Sequence, residues 1–246
     1  MRDEAVLVTG GAKRVGAAIV RALHGAGVRV LVHCHRSVAE ATALADSLNA
    51  ARPGSAAILA ADLSEAEALP ALVDDAVSRF GRLDGLVNNA SGFRPTPVAS
   101  LTLADWNELA ASNLLAPLFL SKAAAPHLAK AGGAIVNVVD IHAERPLRGF
   151  LAYSVAKSGL AGLTRSLALE LAPAVRVNGV SPGAILWPEG DDAFPPAERD
   201  RITAQTPLAR TGCPEDIAGA VKYLLLDAPF VTGQVLAVDG GRSIAL

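Results

Sequence analysis

The feature that most constrains the fold is a regular alternation of short apolar runs with longer segments of helical periodicity. The apolar runs predict strands at 5–8, 28–32, 57–61, 86–87, 134–139, 175–180 and 235–238. The intervening segments predict helices at 15–26, 38–49, 65–80, 104–112, 118–130, 151–171 and 214–226. Strands joined through helices of this length form βαβ units, and these build parallel sheets. We therefore expect a single α/β domain over 1–246, with a doubly wound, Rossmann-type parallel sheet and helices on both of its faces.

Composition excludes several other classes of protein. The 246 residues are 51% hydrophobic and carry a net charge of −2, so disorder is excluded. There is no basic excess, and aromatic residues at 4% leave little to stack on bases, so no nucleic-acid partner is expected. No apolar run reaches the roughly 18 residues of a membrane span. Two cysteines, and a start without a signal-type apolar region, favour a reducing, cytoplasmic setting.

Two segments depart from the regular alternation. Pro70 lies inside the predicted helix 65–80, where a proline is unfavourable. A loop rich in Pro, Asp and Glu runs from 182 to 207. Structureless segments this long are uncommon in compact domains and are usually functional, so this one is predicted to be a substrate lid.

A glycine-rich turn, TGGAKRVG, follows the first predicted strand at residues 9–16. Such a turn presents backbone N–H groups and a helix N-terminus to a pyrophosphate. A tight turn that only needs positive φ angles would look the same. The location at the first strand-to-helix connection favours dinucleotide binding.

The second strand ends in HCHRS at residues 33–37. Arg36 lies twenty residues beyond Gly16, close to where NAD-binding proteins carry an acidic residue. A guanidinium fork, with Ser37 beside it, suits a phosphate and favours NADPH. A solvated loop with a lone arginine is the alternative. A metal site is not expected, because consecutive strand residues point to opposite faces.

Polar residues also end the third and fourth strands, as Asp62-Leu63 and as NNA at 88–90. Ligands of open α/β sheets bind at the carboxyl ends of the strands. Asp62 could accept from the adenine amino group or cap the helix that follows it. The residues alone leave both roles open.

The helix predicted at 151–171 contains YSVAK at 153–157, which places Tyr153 and Lys157 one turn apart on the same face. A nearby ammonium favours the phenolate and lowers the pKa of a tyrosine from about 10. We therefore expect Tyr153 to act as a general acid or base near neutral pH. For an isolated YxxxK, an ordinary surface pair would be the better explanation.

The chain resembles the short-chain dehydrogenase/reductase family in the order and spacing of four motifs: the glycine-rich turn, NNA, YxxxK and SPG at 181–183. The resemblance extends from about residue 5 to residue 241. The resemblance implies that Asn113 is a supporting catalytic residue and that Lys157 also holds the nicotinamide ribose. It further implies a homotetramer in which long helices pair across an interface.

Two departures from the usual family pattern point to a subgroup. Arg14 stands where the family usually has Gly, and Asp140 stands where it usually has Ser, thirteen residues before Tyr153. Together with five short segments, these two residues give the chain a resemblance to pteridine reductases. The segments are KRVG, HRS, NAARP at 49–53, NASGF at 89–93 and LTRS at 163–166. The resemblance implies NADPH-dependent reduction of a dihydropterin or folate, with Phe93 stacked on the pterin. Trp187 could close over the ligand or pack at a subunit contact.

The chemistry of Asp140 supports the subgroup. A carboxylate would repel the alkoxide that develops when a ketone is reduced. Reduction of a C=N bond instead requires a proton on nitrogen, which a carboxyl coupled to Tyr153 can relay. A reductase of ketones or 3-oxoacyl thioesters is the alternative enzyme. An NADPH-binding redox sensor is a third reading, which the intact Tyr153 and Lys157 pair disfavours.

The motifs and the family resemblance together imply a set of site residues and no metal ligand. The predicted catalytic residues are Asn113, Asp140, Tyr153 and Lys157. The predicted substrate-binding residues are Arg14, Ser91, Phe93, Asp140, Tyr153 and Trp187. The predicted cofactor-binding residues are Gly10, Lys13, Arg14, Val15, Gly16, His35, Arg36, Ser37, Asp62, Leu63, Asn89, Ala90, Ser91, Val138, Tyr153, Lys157, Pro182 and Gly183.

Overall fold

Seven parallel strands form one sheet in the computed structural model, which describes residues 3–188 and 194–245. The strands are β1 Ala5–Val8, β2 Arg29–Cys34, β3 Ala56–Ala60, β4 Gly85–Asn88, β5 Ala134–Val138, β6 Arg176–Pro182 and β7 Val235–Val238. Their order is β3-β2-β1-β4-β5-β6-β7, and every neighbouring pair is parallel. The predicted doubly wound α/β fold is therefore confirmed.

Helices connect the strands and cover both faces of the sheet. They are α1 Arg14–Gly25, α2 Val38–Ala51, α3 Leu69–Phe80, α4 Leu103–Ala110, α5 Ala116–Ala131, α6 Leu151–Leu171, α7 Pro196–Ala204, α8 Pro214–Leu226 and α9 Arg242–Ala245. Within residues 3–188 and 194–245, no helix combines the length and apolarity that crossing a membrane requires.

The prediction that Pro70 lies within one long helix is wrong. A short 3₁₀ turn at Ala66–Ala68 comes first, and α3 then begins at Leu69 with Pro70 in its opening turn. Proline is well tolerated there, because its missing N–H would have no partner within the helix. The helices predicted at 104–112 and 118–130 are also closer than expected, since a π-helical turn at Ala111–Leu115 joins α4 directly to α5.

The prediction of a continuous loop from 182 to 207 is also wrong, because α7 lies within it. Pro195 precedes the helix and Pro196 is its first residue, where a fixed φ favours helix initiation. Residues 189–193 of this segment lie outside the described residues. Whether the segment acts as a lid stays a prediction.

Side chains of the central strands are buried on both faces of the sheet. In β1, Val6 and Val8 pack with residues of α1 and α8, whereas Leu7 packs on the opposite face with residues of α3 and α5. This follows from the alternation of side chains along a strand. Helices on both faces explain why these strands are apolar throughout.

The direction of the chain across the sheet changes at β1. This strand pairs with β2 on one side and with β4 on the other. In sheets of this order, dinucleotides bind across the carboxyl ends of the strands at that switch point. The predicted polar strand ends lie at the same edge.

Candidate active site

A cleft of about 870 Å³ lies at the carboxyl edge of the sheet, within the range of roughly 300–1,000 Å³ that is typical of ligand sites. Most of the predicted residues line it: Gly10, Lys13, Arg14, Val15, Gly16, His35, Arg36, Ser37, Asp62, Leu63, Asn89, Ala90, Ser91, Val138, Asp140, Tyr153, Lys157 and Pro182. Within the part of the chain that the structure describes, four predicted site residues do not line the cleft: Phe93, Asn113, Gly183 and Trp187. Gly183 instead packs against Asp239, where a Cβ would lie 2.8 Å from the Asp239 Cα.

The glycine-rich turn depends on two of its glycines. Gly10 has a φ of +60°, which side chains disfavour. A Cβ on Gly16 would lie only 2.1 Å from the carbonyl oxygen of Gly10. The Asn89 amide donates to the carbonyls of Thr9 and Gly10 at 2.9 and 3.1 Å. Asn89 therefore fixes the turn that borders the cleft.

Replacing Gly16 with alanine is expected to displace this turn, because the Gly10 carbonyl leaves no room for the added methyl group. We expect the affinity for the predicted dinucleotide to fall at least tenfold, and the free energy of unfolding to fall by about 1–3 kcal/mol. Fluorescence titration and thermal unfolding would measure both. Gly25→Ala is the matched control, since a Cβ there meets nothing within 4 Å. Wild-type cofactor affinity in Gly16→Ala would contradict the prediction.

Arg14 has an unusual backbone conformation for a residue with a side chain. Its φ is +51°, in a region that costs an L-residue about 1–2 kcal/mol. A glycine, which the family resemblance implies at this position, would avoid that cost. The Arg14 guanidinium donates to the carbonyls of Leu186 and Trp187 at 3.2 and 3.0 Å. The side chain thus connects the glycine-rich turn to the segment that leads towards α7.

Asp62 is already engaged by its neighbours. Its carboxylate accepts from the backbone N–H and hydroxyl of Ser64 at 2.9 and 2.8 Å, and these bonds lower its pKa. The His35 Nε2 lies 3.4 Å from the other carboxylate oxygen. The prediction that Asp62 caps the following helix is wrong, because Glu65 precedes the 3₁₀ turn and Ala68 precedes α3. Its contact with an adenine amino group stays a prediction. Arg36, on the same rim of the cleft, is exposed.

Tyr153 and Asp140 form a short hydrogen bond at the centre of the cleft. The Tyr153 hydroxyl donates to Asp140 Oδ2 at 2.6 Å, and Asp140 Oδ1 accepts from the backbone N–H of His142 at 2.8 Å. Lys157 Nζ donates to the Val138 carbonyl at 2.8 Å and lies 5.7 Å from the centre of the Tyr153 ring. Both Tyr153 and Lys157 are buried, with 4% and 2% of their surface exposed.

The expectation that Lys157 lowers the pKa of Tyr153 is wrong for this arrangement. Burial raises the pKa of the Tyr153 hydroxyl well above its usual value, and the Asp140 carboxylate raises it further. Burial also lowers the pKa of Lys157 to about 8. Tyr153 is thus held protonated, a state suited to proton donation.

Asn113 lies in the π-helical turn and holds the loop next to Tyr153. Its amide donates to the carbonyls of Gly92 and Leu109, each at 2.9 Å, and its oxygen accepts from the Ser91 hydroxyl at 2.7 Å. A π turn widens the helix and is frequent at functional sites. The side chain supplies a donor to the Leu109 carbonyl, four residues earlier in the chain.

Comparison with known proteins identifies the family. A family model described as enoyl-(acyl carrier protein) reductase matches residues 10–243. Pteridine reductase 1 from Leishmania tarentolae is 40% identical, over 97% of this chain and 96% of that protein. The chain is a short-chain dehydrogenase/reductase. It is therefore an oxidoreductase, of a family that uses a nicotinamide cofactor.

Other relatives of this reductase carry different activities in their names. A Streptomyces violaceoruber protein with the provisional name of granaticin polyketide synthase ketoacyl reductase 2 is 44% identical, over 97% of this chain and 95% of its own. The 3-oxoacyl-[acyl-carrier-protein] reductase of a Synechocystis strain is 34% identical, over 97% and 96%. The comparisons thus include relatives named for pteridine reduction and relatives named for ketone reduction.

An aromatic cluster adjoins the reductase cleft at Tyr153. Phe93 stacks on Phe150 with ring centres 4.5 Å apart and meets the Tyr153 ring edge-on at 4.8 Å. Phe194 lies 6.3 Å from Phe93 and 5.6 Å from Trp187. Phe93 and Trp187 are therefore close to the site, although neither lines the cleft. Phe150 and Phe194 were not predicted, because only the tertiary structure places their loops here.

His33 is a further structural residue of the site that the sequence did not predict. Its Nδ1 accepts from the Gly10 N–H at 3.2 Å, and its Nε2 lies 3.2 Å from the Ala61 carbonyl. Burial lowers its pKa to about 4, so the imidazole is neutral at pH 7. The side chain connects the ends of three adjacent strands beneath the cleft. Its position near the end of β2 gave no signal for this role.

Proposed function

We propose that this reductase uses NADPH to reduce a dihydropterin, or a folate, to the tetrahydro form. The observation that carries the proposal is the 2.6 Å hydrogen bond from Tyr153 to Asp140 in the cleft. The cofactor supplies a hydride to a carbon of the substrate. Tyr153 supplies the proton to the neighbouring nitrogen, and Asp140 is positioned to couple to that transfer.

The residues of the cleft fit such a dinucleotide. Gly10 and Gly16 leave the backbone of the turn close to the cleft, where a Cβ on Gly16 would not fit. Lys13 and Arg36 place positive charge on the same rim. Lys157 is proposed to hold the nicotinamide end of the cofactor. Asn113 is proposed to hold the nearby loop in place. These features match what a pyrophosphate and a ribose phosphate require.

Asp140 favours a C=N substrate over a ketone. Reduction of a ketone creates an oxyanion beside this carboxylate, and the two negative charges would repel each other. An imine nitrogen is more basic than a ketone oxygen and can take up a proton before or during hydride transfer, so less negative charge develops beside the carboxylate. Phe93, at the edge of Tyr153, is proposed to offer an apolar face to a flat heteroaromatic ring.

Replacing Arg36 with alanine is expected to weaken NADPH binding about 10–100-fold while leaving NADH binding little changed. The reason is the loss of a charge-assisted contact to the 2′-phosphate, which NADH lacks. Titration of each cofactor by fluorescence would measure the two affinities. Arg79→Ala, an exposed arginine on α3, is the matched control. Equal losses for the two cofactors would show that Arg36 does not recognise this phosphate.

The substrate class is tested by NADPH oxidation at 340 nm with the purified protein. Dihydrobiopterin, dihydromonapterin, dihydrofolate and folate would be compared with an acetoacetyl thioester at equal concentrations. We expect turnover of a pterin or folate, with the thioester much slower. Turnover of the thioester alone would support the second candidate, a ketoacyl reductase, which the relatives from Streptomyces and Synechocystis favour.

We also propose that the enzyme is a homotetramer. Apolar side chains that are partly exposed lie along the π turn, α5 and α6: Leu115, Phe119, Leu151 and Val155. Pairing of these helices with a second copy would cover them.

The cysteines Cys34 and Cys213 are both free, which agrees with the proposed cytoplasmic setting.

A further inference from the structure

A turn of four residues, DGGR at 239–242, follows β7 directly. The Asp239 carboxylate closes this DGGR turn, since its two oxygens accept from the N–H groups of Gly241 and Ser243 at 2.9 and 2.7 Å. Gly240 and Gly241 have φ angles of +65° and +85°, which side chains disfavour. The turn is therefore held in a conformation that only glycines adopt readily.

The DGGR turn packs against the first residues of the 182–207 segment. Pro182 ends β6 and pairs with Val238 at the end of β7, and the Gly183 N–H donates to the Val238 carbonyl at 3.1 Å. A Cβ on Gly183 would lie 2.8 Å from the Asp239 Cα, so the two backbones approach without a side chain between them. The start of the segment is thus fixed to the turn.

The same turn also contacts the last residues of this segment. The Leu208 N–H donates to the Gly240 carbonyl at 3.1 Å. A Cβ on Gly240 would lie 2.8 Å from Thr206 Cγ2. A Cβ on Gly241 would lie 3.0 Å from Pro207 Cγ. The DGGR turn therefore holds both ends of the segment, and its glycines are needed for the close approach.

Arg242 extends these contacts to α7. The residue is only 6% exposed, and its guanidinium donates to the Ile202 carbonyl at 3.1 Å. This carbonyl lies in the last turn of α7, where a positive charge interacts favourably with the helix dipole. Among the described residues of α7, Ile202 alone is buried, so apolar packing contributes little to the position of this helix. The bond from Arg242 is thus a main attachment of α7.

The helix α7 in turn supports the aromatic cluster beside Tyr153. Arg199 of α7 donates from Nε to the Phe194 carbonyl at 2.6 Å, and its guanidinium carbon lies 5.5 Å from the centre of the Trp187 ring. Phe194 lies 6.3 Å from Phe93, whose ring meets that of Tyr153. A displacement of α7 would therefore move the rings next to the proposed proton donor.

We propose that Arg242 is a positioning residue for substrate binding, and that the DGGR turn sets where the 182–207 segment lies beside the cleft. Arg242 acts through α7 and reaches neither reactant. The cofactor side of the cleft is formed by the turn at 9–16 and the end of β2, which are separate elements. This inference rests on the proposed position of the substrate beside Phe93, but not on which bond is reduced.

Substitution of Arg242 tests the inference by steady-state kinetics and a separate NADPH titration. The substrate is dihydrobiopterin, or the acetoacetyl thioester if the wild type turns over only that. Arg242→Met removes the charge and the donors, and we expect KM for the substrate to rise about tenfold with kcat and NADPH affinity nearly unchanged. Arg242→Lys keeps a charged donor and should restore KM to within about threefold of the wild type.

Tryptophan fluorescence gives a second readout that needs no substrate. The chain has two tryptophans, Trp106 and Trp187, so in a Trp106→Phe background the emission reports Trp187 alone. In that background we expect Arg242→Met to increase acrylamide quenching about twofold, because α7 no longer holds Arg199 firmly against the ring. Arg242→Lys should quench much as the wild type does.

Two further variants make the test specific. Arg201→Met is the matched control, because Arg201 lies on the same helix but is half-exposed and pairs with Glu198 at 2.5 Å. It should match the wild type in every measurement. Gly240→Ala is the second test variant in case loss of the buried Arg242 prevents folding. Its Cβ would press on Thr206, so the same increases in KM and quenching are expected.

Three outcomes would overturn the inference. Wild-type KM and quenching in both Arg242→Met and Gly240→Ala would show that the turn does not position the segment. An equal loss of substrate and NADPH affinity would show a general disturbance of the fold, as would the same changes in Arg201→Met. Failure of the proposed function is recognised separately, because the wild-type enzyme itself would then turn over the thioester alone.

Discussion

Tyr153→Phe is expected to lower kcat by about 10²–10⁴-fold, the usual contribution of a positioned general acid. Affinity for NADPH should stay close to that of the wild type, because the ring is kept and Lys157 donates to the Val138 carbonyl independently of the hydroxyl. The phenylalanine ring can also keep its edge contact with Phe93. We expect the free energy of unfolding to change by about 1 kcal/mol.

Single-turnover and steady-state kinetics, with a separate cofactor titration, would test this expectation. The chain offers a close control, because it contains two tyrosines. The second, Tyr223, lies half-exposed on α8, and Tyr223→Phe should leave kcat unchanged. If Tyr153→Phe kept most of its activity, Tyr153 would not be the proton donor and the assignment of roles would be wrong.

Asp140→Ser is expected to lower kcat/KM for pterin reduction about 100-fold, because the proton relay partner of Tyr153 is lost. The fold should survive, since a serine can also accept from the His142 N–H that Asp140 now caps. Reduction of an acetoacetyl thioester should be unaffected or improved, because the repulsive carboxylate is gone. Asp46→Ser, exposed on α2, is the control for loss of one charge.

The same variant should change the pH dependence of turnover. The Asp140 carboxylate helps to raise the pKa of Tyr153, so its removal lowers that pKa. A proton donor is active only below its pKa, and the alkaline fall in kcat should therefore begin at a lower pH. A thioester rate in Asp140→Ser above the wild-type pterin rate would instead favour a ketone reductase.

The order of strands and helices could be predicted because apolar periodicity is a local property of the chain. Residues such as Val6, Leu7 and Val8 need no distant partner to indicate a buried strand. The placement of Asp140 near Tyr153 was also predictable, since both follow from motifs at fixed spacing. The helix α7 was missed because its segment lacks apolar periodicity, with only Ile202 fully buried.

The sequence by itself determined the doubly wound sheet, the edge at which the cleft lies and the pairing of Tyr153 with Lys157 on one helix. Only the tertiary structure decided how these groups are charged and supported. The pKa of Tyr153 is raised because other parts of the chain bury it and place a carboxylate against it. The roles of His33 and Phe150 likewise depend on contacts between distant segments. The burial and the charge of a site depend on residues from many parts of the chain, so a short sequence pattern cannot predict them.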